Sequence, residues 1–272
     1  MRHIIGISHP KHVYMFKNYI ERLYRRKHKY KIILVDKDWS RPLLDFFGIS
    51  YELVGSNKKF LYQKFFSMFL IIIKALIICR KFKPDVFVGQ AHPLLGVSSL
   101  LRNKPYIVFE DTEHVNSLHR FILPLCNKFV TPISFRKNMG PKHLKFKGLY
   151  ELAYLHPKYF KPKKTVLKEL GLNHEDVFSV VRFVSWNALH DLNQKGLSIK
   201  LKLKLVHELS KYSKVFISSE VVLPRSLEKH RISLDGEKMH SLMSYSSLVI
   251  GESSTMCAEA SVLGTQSIYL DF

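Results

Sequence analysis

The 272 residues are enough for one large core or two ordinary domains. A hydrophobic fraction of 46% excludes a disordered or fibrous chain, and 43 Lys+Arg against 22 Asp+Glu leave a net charge of +21. Such a surface attracts phosphate, whether on a nucleotide, a nucleic acid or a lipid headgroup, although basic residues spread along the whole chain weaken the nucleic-acid reading.

Strand and helix signals alternate from the start. "HIIGIS" (3–8) reads as a strand, and "HVYMFKNYIERLY" then places Val13, Phe16, Ile20 and Leu23 on one helical stripe. "KIILVD" (31–36) is a second strand, followed by a short helix around Leu43–Phe47 that ends at Gly48. "YELVG" is a third. "DVFVG" (85–89), "YIVFE" (106–110), "KFVTP" (128–132) and "LKFKG" (144–148) complete this half. "HPKYFKPKKTV" (156–166), with two prolines, breaks the pattern and reads as a linker. The alternation then restarts: strand "FSVVRFV" (178–184), helix from Lys195, strand "KVFIS" (214–218), helix near Glu237–Tyr245, strand "SLVIG", helix from Thr255 and strand "SIYL". Short β-rich runs separated by helices predict two Rossmann-like, doubly wound parallel sheets, in domains 1–155 and 156–272.

Between the third and fourth strands lies "KFFSMFLIIIKALIICRKFK" (64–83), apolar on nearly every face and interrupted by Lys74. Its uninterrupted apolar stretch is well short of the ~20 residues needed to span a bilayer. One reading buries it between the sheet and its neighbours; the other lays it on the cytoplasmic face of a membrane, with lysines at the headgroups. The absence of a polar face favours burial. Cys79, Cys126 and Cys257 lack metal-ligand spacing and read as small buried hydrophobes in a reducing compartment. "MRHIIGISHPKHV" has too short an apolar run for a signal peptide, so the expected location is the cytoplasm.

In a doubly wound sheet, ligands bind in the loops beyond the carboxyl ends of the strands. Those loops are "SHPKH" (8–12), "GQAHP" (89–93), "EDTEH" (110–114), "SWNALHDLNQKG" (185–196) and "GESST" (251–255). In the last, Ser253, Ser254 and Thr255 open a helix whose N–H groups favour a phosphate. Glu259 follows one turn later among alanines, where a carboxylate is costly unless it is used, for example to accept from a ribose diol. An ordinary Ser/Thr cap with a helical glutamate explains the same spacing.

"YSSLVIGESSTMCAEASVLGTQSI" resembles the nucleotide-binding signature of the non-hydrolysing UDP-N-acetylglucosamine 2-epimerases and related GT-B glycosyltransferases: a strand, an acidic residue, Ser, two small residues, then a helix with Glu and Ala. "ISHPKHVYMFKN", "VFEDTEH", "ELAYLHPKYFKP", "RFVSWNALHD" and "IGESSTMCAEASVLGT" are similar to the family known as domain of unknown function 354, from the first strand to Phe272. The resemblance implies a GT-B-like α/β pair of domains facing a cleft, with a nucleotide sugar, UDP-linked, held by the second. It assigns Glu259 to the ribose and Ser253, Ser254 and Thr255 to the diphosphate. Arg182, Ser185, Trp186 and Asn187 would close over the nucleotide, although Arg182 has an alternative use in pairing with a nearby carboxylate. GT-B chains continue beyond the point where this one stops, so the second domain is expected to be incomplete.

Two chemistries follow. A 2-epimerase needs several acid/base carboxylates. Glu110 matches one, but the Gly-Asp-Thr of those enzymes is "GQA" (89–91) here, and their double glutamate is replaced by "NSLHRF" (116–121). A glycosyltransferase needs one base and donors for the departing diphosphate; the resemblance to GT-B enzymes implies that a helix end and basic residues, and no bound metal, carry that diphosphate. Asp111, Glu113 and His114 share a loop with Glu110, and His9 and His12 form a second group; the base is expected to be Asp111 or Glu113. Each of these also has a structural reading, as a cap or a helix start. "YELAYLHPKYF" (150–160) reads as pinning the linker. The sequence thus points to a nucleotide-sugar glycosyltransferase of cell-surface polysaccharide assembly. Its acceptor would be a glycan or lipid-linked, with a peripheral membrane contact at the inner face and no nucleic acid partner. The alternatives are an epimerase-like enzyme and an inactive nucleotide-binding homologue.

Overall fold

A computed structural model describes residues 1–37, 39–56, 61–185 and 196–271, with the side chains of 61–68 excluded. The chain divides into two compact units, Met1–Tyr154 and Leu155–Phe272.

Unit 1 alternates strands and helices as far as β6: β1 (Arg2–Ile7), α1 (Pro10–Arg25), β2 (Lys29–Asp36), α2 (Ser40–Phe46), β3 (Glu52–Ser56), α3 (Leu61–Phe82), β4 (Val86–Gly89), α4 (Pro93–Arg102), β5 (Tyr106–Phe109), α5 (Asn116–Leu125) and β6 (Lys128–Pro132); β7 (His143–Phe146) follows directly, and α6 (Leu152–Leu155) ends at the first residue of unit 2. The seven strands form one sheet in the order β3-β2-β1-β4-β5-β6-β7, with every neighbouring pair parallel. A strand buried on both faces reads as a continuous apolar run, and Ile4, Ile5, Ile32, Ile33 and Leu34 are fully buried accordingly. The helices start where the chain supplies caps. His9 and His92 each turn Nδ1 to a backbone N–H two residues on, and Pro10 and Pro93 follow at the first helical position. Val13, Phe16, Ile20 and Leu23 form the buried stripe of α1.

Unit 2 contains α7 (Thr165–Glu169), β8 (Phe178–Phe183), α8 (Ile199–Leu209), β9 (Lys214–Ser219), α9 (Arg225–Glu228), a 3-10 turn (Gly236–Lys238), α10 (Met239–Tyr245), β10 (Leu248–Gly251), α11 (Ser254–Val262) and β11 (Gln266–Tyr269). Its four strands are parallel in the order β11-β10-β8-β9. Lys195, where the sequence places the start of α8, lies outside the described residues; the helix runs from Ile199, with the Ser198 side chain accepting from the Leu201 N–H.

The two parallel sheets are those the alternation predicts. The apolar helix differs from the expectation of complete burial. Ile71, Ala75 and Cys79 of α3 face the sheet, while Phe69, Leu70, Ile73 and Ile77 are exposed. A helix apolar all round has no sequence mark for its inner side, so packing alone selects it. The three cysteines are free and buried.

Candidate active site

Each sheet reverses its winding once, and the crevice beyond the strand ends at that reversal is where a doubly wound sheet holds ligand. In unit 1 the reversal lies between β1 and β4, with β5 next to β4. The chain leaving these strands carries Ser8–His12, Gln90–His92 and Glu110–His114.

These residues form a directed hydrogen-bond chain. The Ser8 N–H donates to His12 Nδ1 at 3.2 Å, which fixes the ring as the tautomer protonated on Nε2. That Nε2–H donates to Gln90 Oε1, and Gln90 Nε2 donates to Glu110 Oε1 at 2.9 Å. The same Glu110 oxygen accepts from the Asp111 N–H at 3.1 Å and the Thr112 N–H at 3.0 Å. Burial lowers the His12 pKa to about 4, so the ring is neutral at neutral pH. Burial also raises Glu110, to about 7, although the N–H groups of Thr112 and Asp111 and the Gln90 amide all pull the other way. A cavity of about 10 Å³, bordered by Ser8, His12, Gln90 and His92, adjoins this chain.

Beside it, Lys11 Nζ lies 2.5 Å from Asp111 Oδ2 and 2.8 Å from Glu151 Oε1. Burial disfavours the Lys11 charge, but the two carboxylates outweigh it and the pKa rises. The Tyr150 hydroxyl closes the group, accepting from the Glu110 N–H at 3.0 Å and donating to Val130 O at 2.6 Å.

The structure therefore separates the carboxylates the sequence grouped. Asp111 is committed to Lys11. Glu113 accepts from the Arg136 N–H at 2.9 Å and orders the chain after β6. His114 is exposed, and His9 serves as the α1 cap. Glu110 is buried, and burial brings its carboxyl to about 7, in the range for proton exchange near neutral pH.

In unit 2 the reversal lies between β8 and β10. Gly251 ends β10 against β8, where a Cβ would stand 2.1 Å from Arg182 O. Only glycine permits that approach. Glu252 turns back across the strand end: it accepts from the Val184 N–H at 3.0 Å and the Leu197 N–H at 2.5 Å, with Lys202 Nζ at 3.9 Å. Ser253 then caps α11 by accepting from the Met256 N–H at 3.3 Å. Ser254 is exposed and Thr255 half-buried at the helix start. Glu259 is buried, with Oε1 3.1 Å from His240 Nε2. Arg182 pairs with Glu220 and donates to Ser218 Oγ at 2.7 Å; Ser185 donates to the other Glu220 oxygen at 3.2 Å. Trp186 and Asn187 lie outside the described residues.

Several members of these groups were not singled out as site residues. Lys11 and Gln90 lay in strand-end loops already picked out, and Glu252 occupies the acidic position of the signature. Tyr150 and Glu151 open the stretch "YELAYLHPKYF", which the sequence assigns to pinning the linker; neither they nor His240 carry a local mark of these contacts, because their partners are distant in the chain.

The chain matches the family described as "Protein of unknown function (DUF354)" over residues 2–270. It belongs to that family. No curated protein matches this DUF354 chain. Among solved structures it is similar to the UDP-GlcNAc 2-epimerase of Neisseria meningitidis bound to UDP-GlcNAc, with TM-score 0.69 and 14% identity over 99% of this chain and 82% of the other. The Methanocaldococcus jannaschii UDP-GlcNAc 2-epimerase, in complex with UDP-GlcNAc and UDP, gives TM-score 0.69 and 14% identity over 99% and 84%. A Streptomyces glycosyltransferase gives 0.57 and 10% over 100% and 82%. The DUF354 chain thus has the α/β fold of GT-B glycosyltransferases and UDP-GlcNAc 2-epimerases.

Proposed function

We propose that this DUF354 protein is a glycosyltransferase that uses a nucleotide sugar, UDP-linked. The observation that carries the reading is in unit 2: the capped start of α11 opens at the reversal of the sheet, with a buried carboxylate, Glu259, one turn behind it. A helix start at that place suits a diphosphate, and a carboxylate held by His240 suits a ribose diol. Structures of the same fold were solved with UDP-GlcNAc and UDP bound, which supports the nucleotide assignment. In unit 1 we assign the proton-accepting role to Glu110 instead of Asp111 or Glu113. It takes the proton of an acceptor hydroxyl; that oxygen attacks the anomeric carbon, and the bond to the diphosphate breaks as the nucleotide leaves. The acceptor, a glycan or lipid-linked glycan of a cell-surface polysaccharide, rests on the family resemblance.

A 2-epimerase reading has two points in its favour: the carboxyl of Glu110, raised by burial to about 7, and the higher TM-score of the epimerase structures, 0.69 against 0.57 for the glycosyltransferase. Against it stands Gln90, where those enzymes carry the Asp of Gly-Asp-Thr: its amide donates to Glu110, which a second carboxylate could not do. Incubation with UDP-GlcNAc in D2O tests both. A transferase releases UDP, faster with a glycan acceptor present, and leaves the sugar C2 proton in place; Glu110→Gln abolishes release while the fold is kept. Deuterium at C2 would overturn the transferase in favour of the epimerase.

A further inference from the structure

We infer that the outer surface of α3, α4 and α5 is a docking face for an anionic lipid bilayer. The three helices cover one side of the unit 1 sheet, burying Ile71, Ala75 and Cys79 from α3, Leu94 and Leu95 from α4, and Ile122 from α5. α4 packs against both of its neighbours. Their outward side chains are not those of a solvated surface. Phe69, Ile73 and Ile77 stand at successive i, i+4 positions on α3, 63%, 38% and 52% exposed, with Leu70 beside them. Leu100 and Leu101 at the end of α4 and Phe121 on α5 are exposed as well. Single exposed apolar side chains are ordinary; a stripe of them across adjacent helices marks a surface with a partner.

Charge identifies the partner. None of the three helices contains an aspartate or glutamate. Exposed Lys74, Arg80 and Lys81 on α3 and Arg120 on α5 stand among the apolar residues, with Arg102 and exposed Lys104 at the end of α4. Asp85, the acid between α3 and α4 in the chain, is occupied by Arg2. A second copy of this face would set like charges against each other, which opposes self-association. A bilayer with anionic headgroups offers what the face lacks: the apolar stripe enters the headgroup–acyl boundary, and the long basic side chains reach back to phosphate. No helix among the described residues is long and apolar enough to cross a membrane, so the helix lies along the surface.

The test is co-sedimentation of the full chain with phosphatidylcholine vesicles, with and without phosphatidylglycerol. The wild type binds the anionic vesicles, binds neutral ones weakly and is released by salt. Ile73→Glu/Ile77→Glu lowers the affinity by about tenfold or more. Leu100→Glu/Leu101→Glu does the same from the neighbouring helix, and all four sites are exposed, so a folded variant is expected in at least one pair. Failure of the wild type to bind anionic vesicles, or equal binding by folded variants, overturns the assignment. So does sedimentation showing a dimer that these substitutions dissociate, which would make the face a self-interface. The nucleotide site plays no part in this outcome.

Discussion

Glu110 and His12 sit two links apart in one hydrogen-bond chain, and burial moves their pKa values in opposite directions. The folded state binds the His12 proton less tightly than the unfolded chain, at about 4 instead of 6.5. Stability is therefore lost as pH falls from about 6.5 towards 4, by up to about 3 kcal/mol. His92, also lowered to about 4 by burial, acts in the same direction. Glu110 runs the other way: raised from 4.5 to about 7, it contributes stability below 4.5 that is lost as pH rises to about 7. Denaturant titrations of Glu110→Gln should show a variant more stable than wild type by about 2–3 kcal/mol above pH 7 and level with it below 4.5. Lys11→Met leaves Glu151 buried and Asp111 half-buried without their cation, and should cost about 3 kcal/mol in the same measurement. The loops carrying these residues were legible in the sequence, because strand ends in a doubly wound sheet are the expected place for chemistry. The division of labour among them was not. Four ionisable groups in "EDTEH" look alike in the sequence, and only tertiary partners such as Lys11, Gln90 and the Arg136 N–H tell them apart.

At the scale of the element, β10 and α11 show what a local pattern does and does not specify. "SLVIGESST" marks strand, turn and helix start, and all three form. The reason for glycine at 251 lies 69 positions away in the chain, at the Arg182 carbonyl of β8. Gly251→Ala forces these strands apart and should cost about 2–3 kcal/mol in chemical denaturation, with loss of the Glu252 N–H bond to Arg182 O. Glu252 was legible as the acidic residue of the signature, but not as the clamp that ties the ends of β8 and β10 to the start of α8. α3 is the opposite case. Its existence follows from composition, yet a period-free apolar run says nothing about which side meets the sheet. Burial of Ala75 and Cys79 while Ile73 and Ile77 stay exposed is a consequence of fit, with small residues allowing close approach to the strands.

For the molecule as a whole, the alternation of strands and helices predicts two parallel sheets, and the orders β3-β2-β1-β4-β5-β6-β7 and β11-β10-β8-β9 realise them. Each sheet places its polar strand-end loops at one reversal, and the two reversals differ in chemistry. That of unit 1 holds proton-binding groups, and that of unit 2 holds a capped helix start with a buried carboxylate behind it. The central claim is that the second of these binds a nucleoside diphosphate. Calorimetric titration of UDP, with GDP and CMP as controls, into the wild type, Glu259→Ala and Glu110→Gln tests it directly. The account predicts saturable UDP binding that is largely lost in folded Glu259→Ala and unchanged in Glu110→Gln, since the latter acts on the acceptor. Absence of UDP binding by the folded wild type, or equal binding by Glu259→Ala, would contradict it.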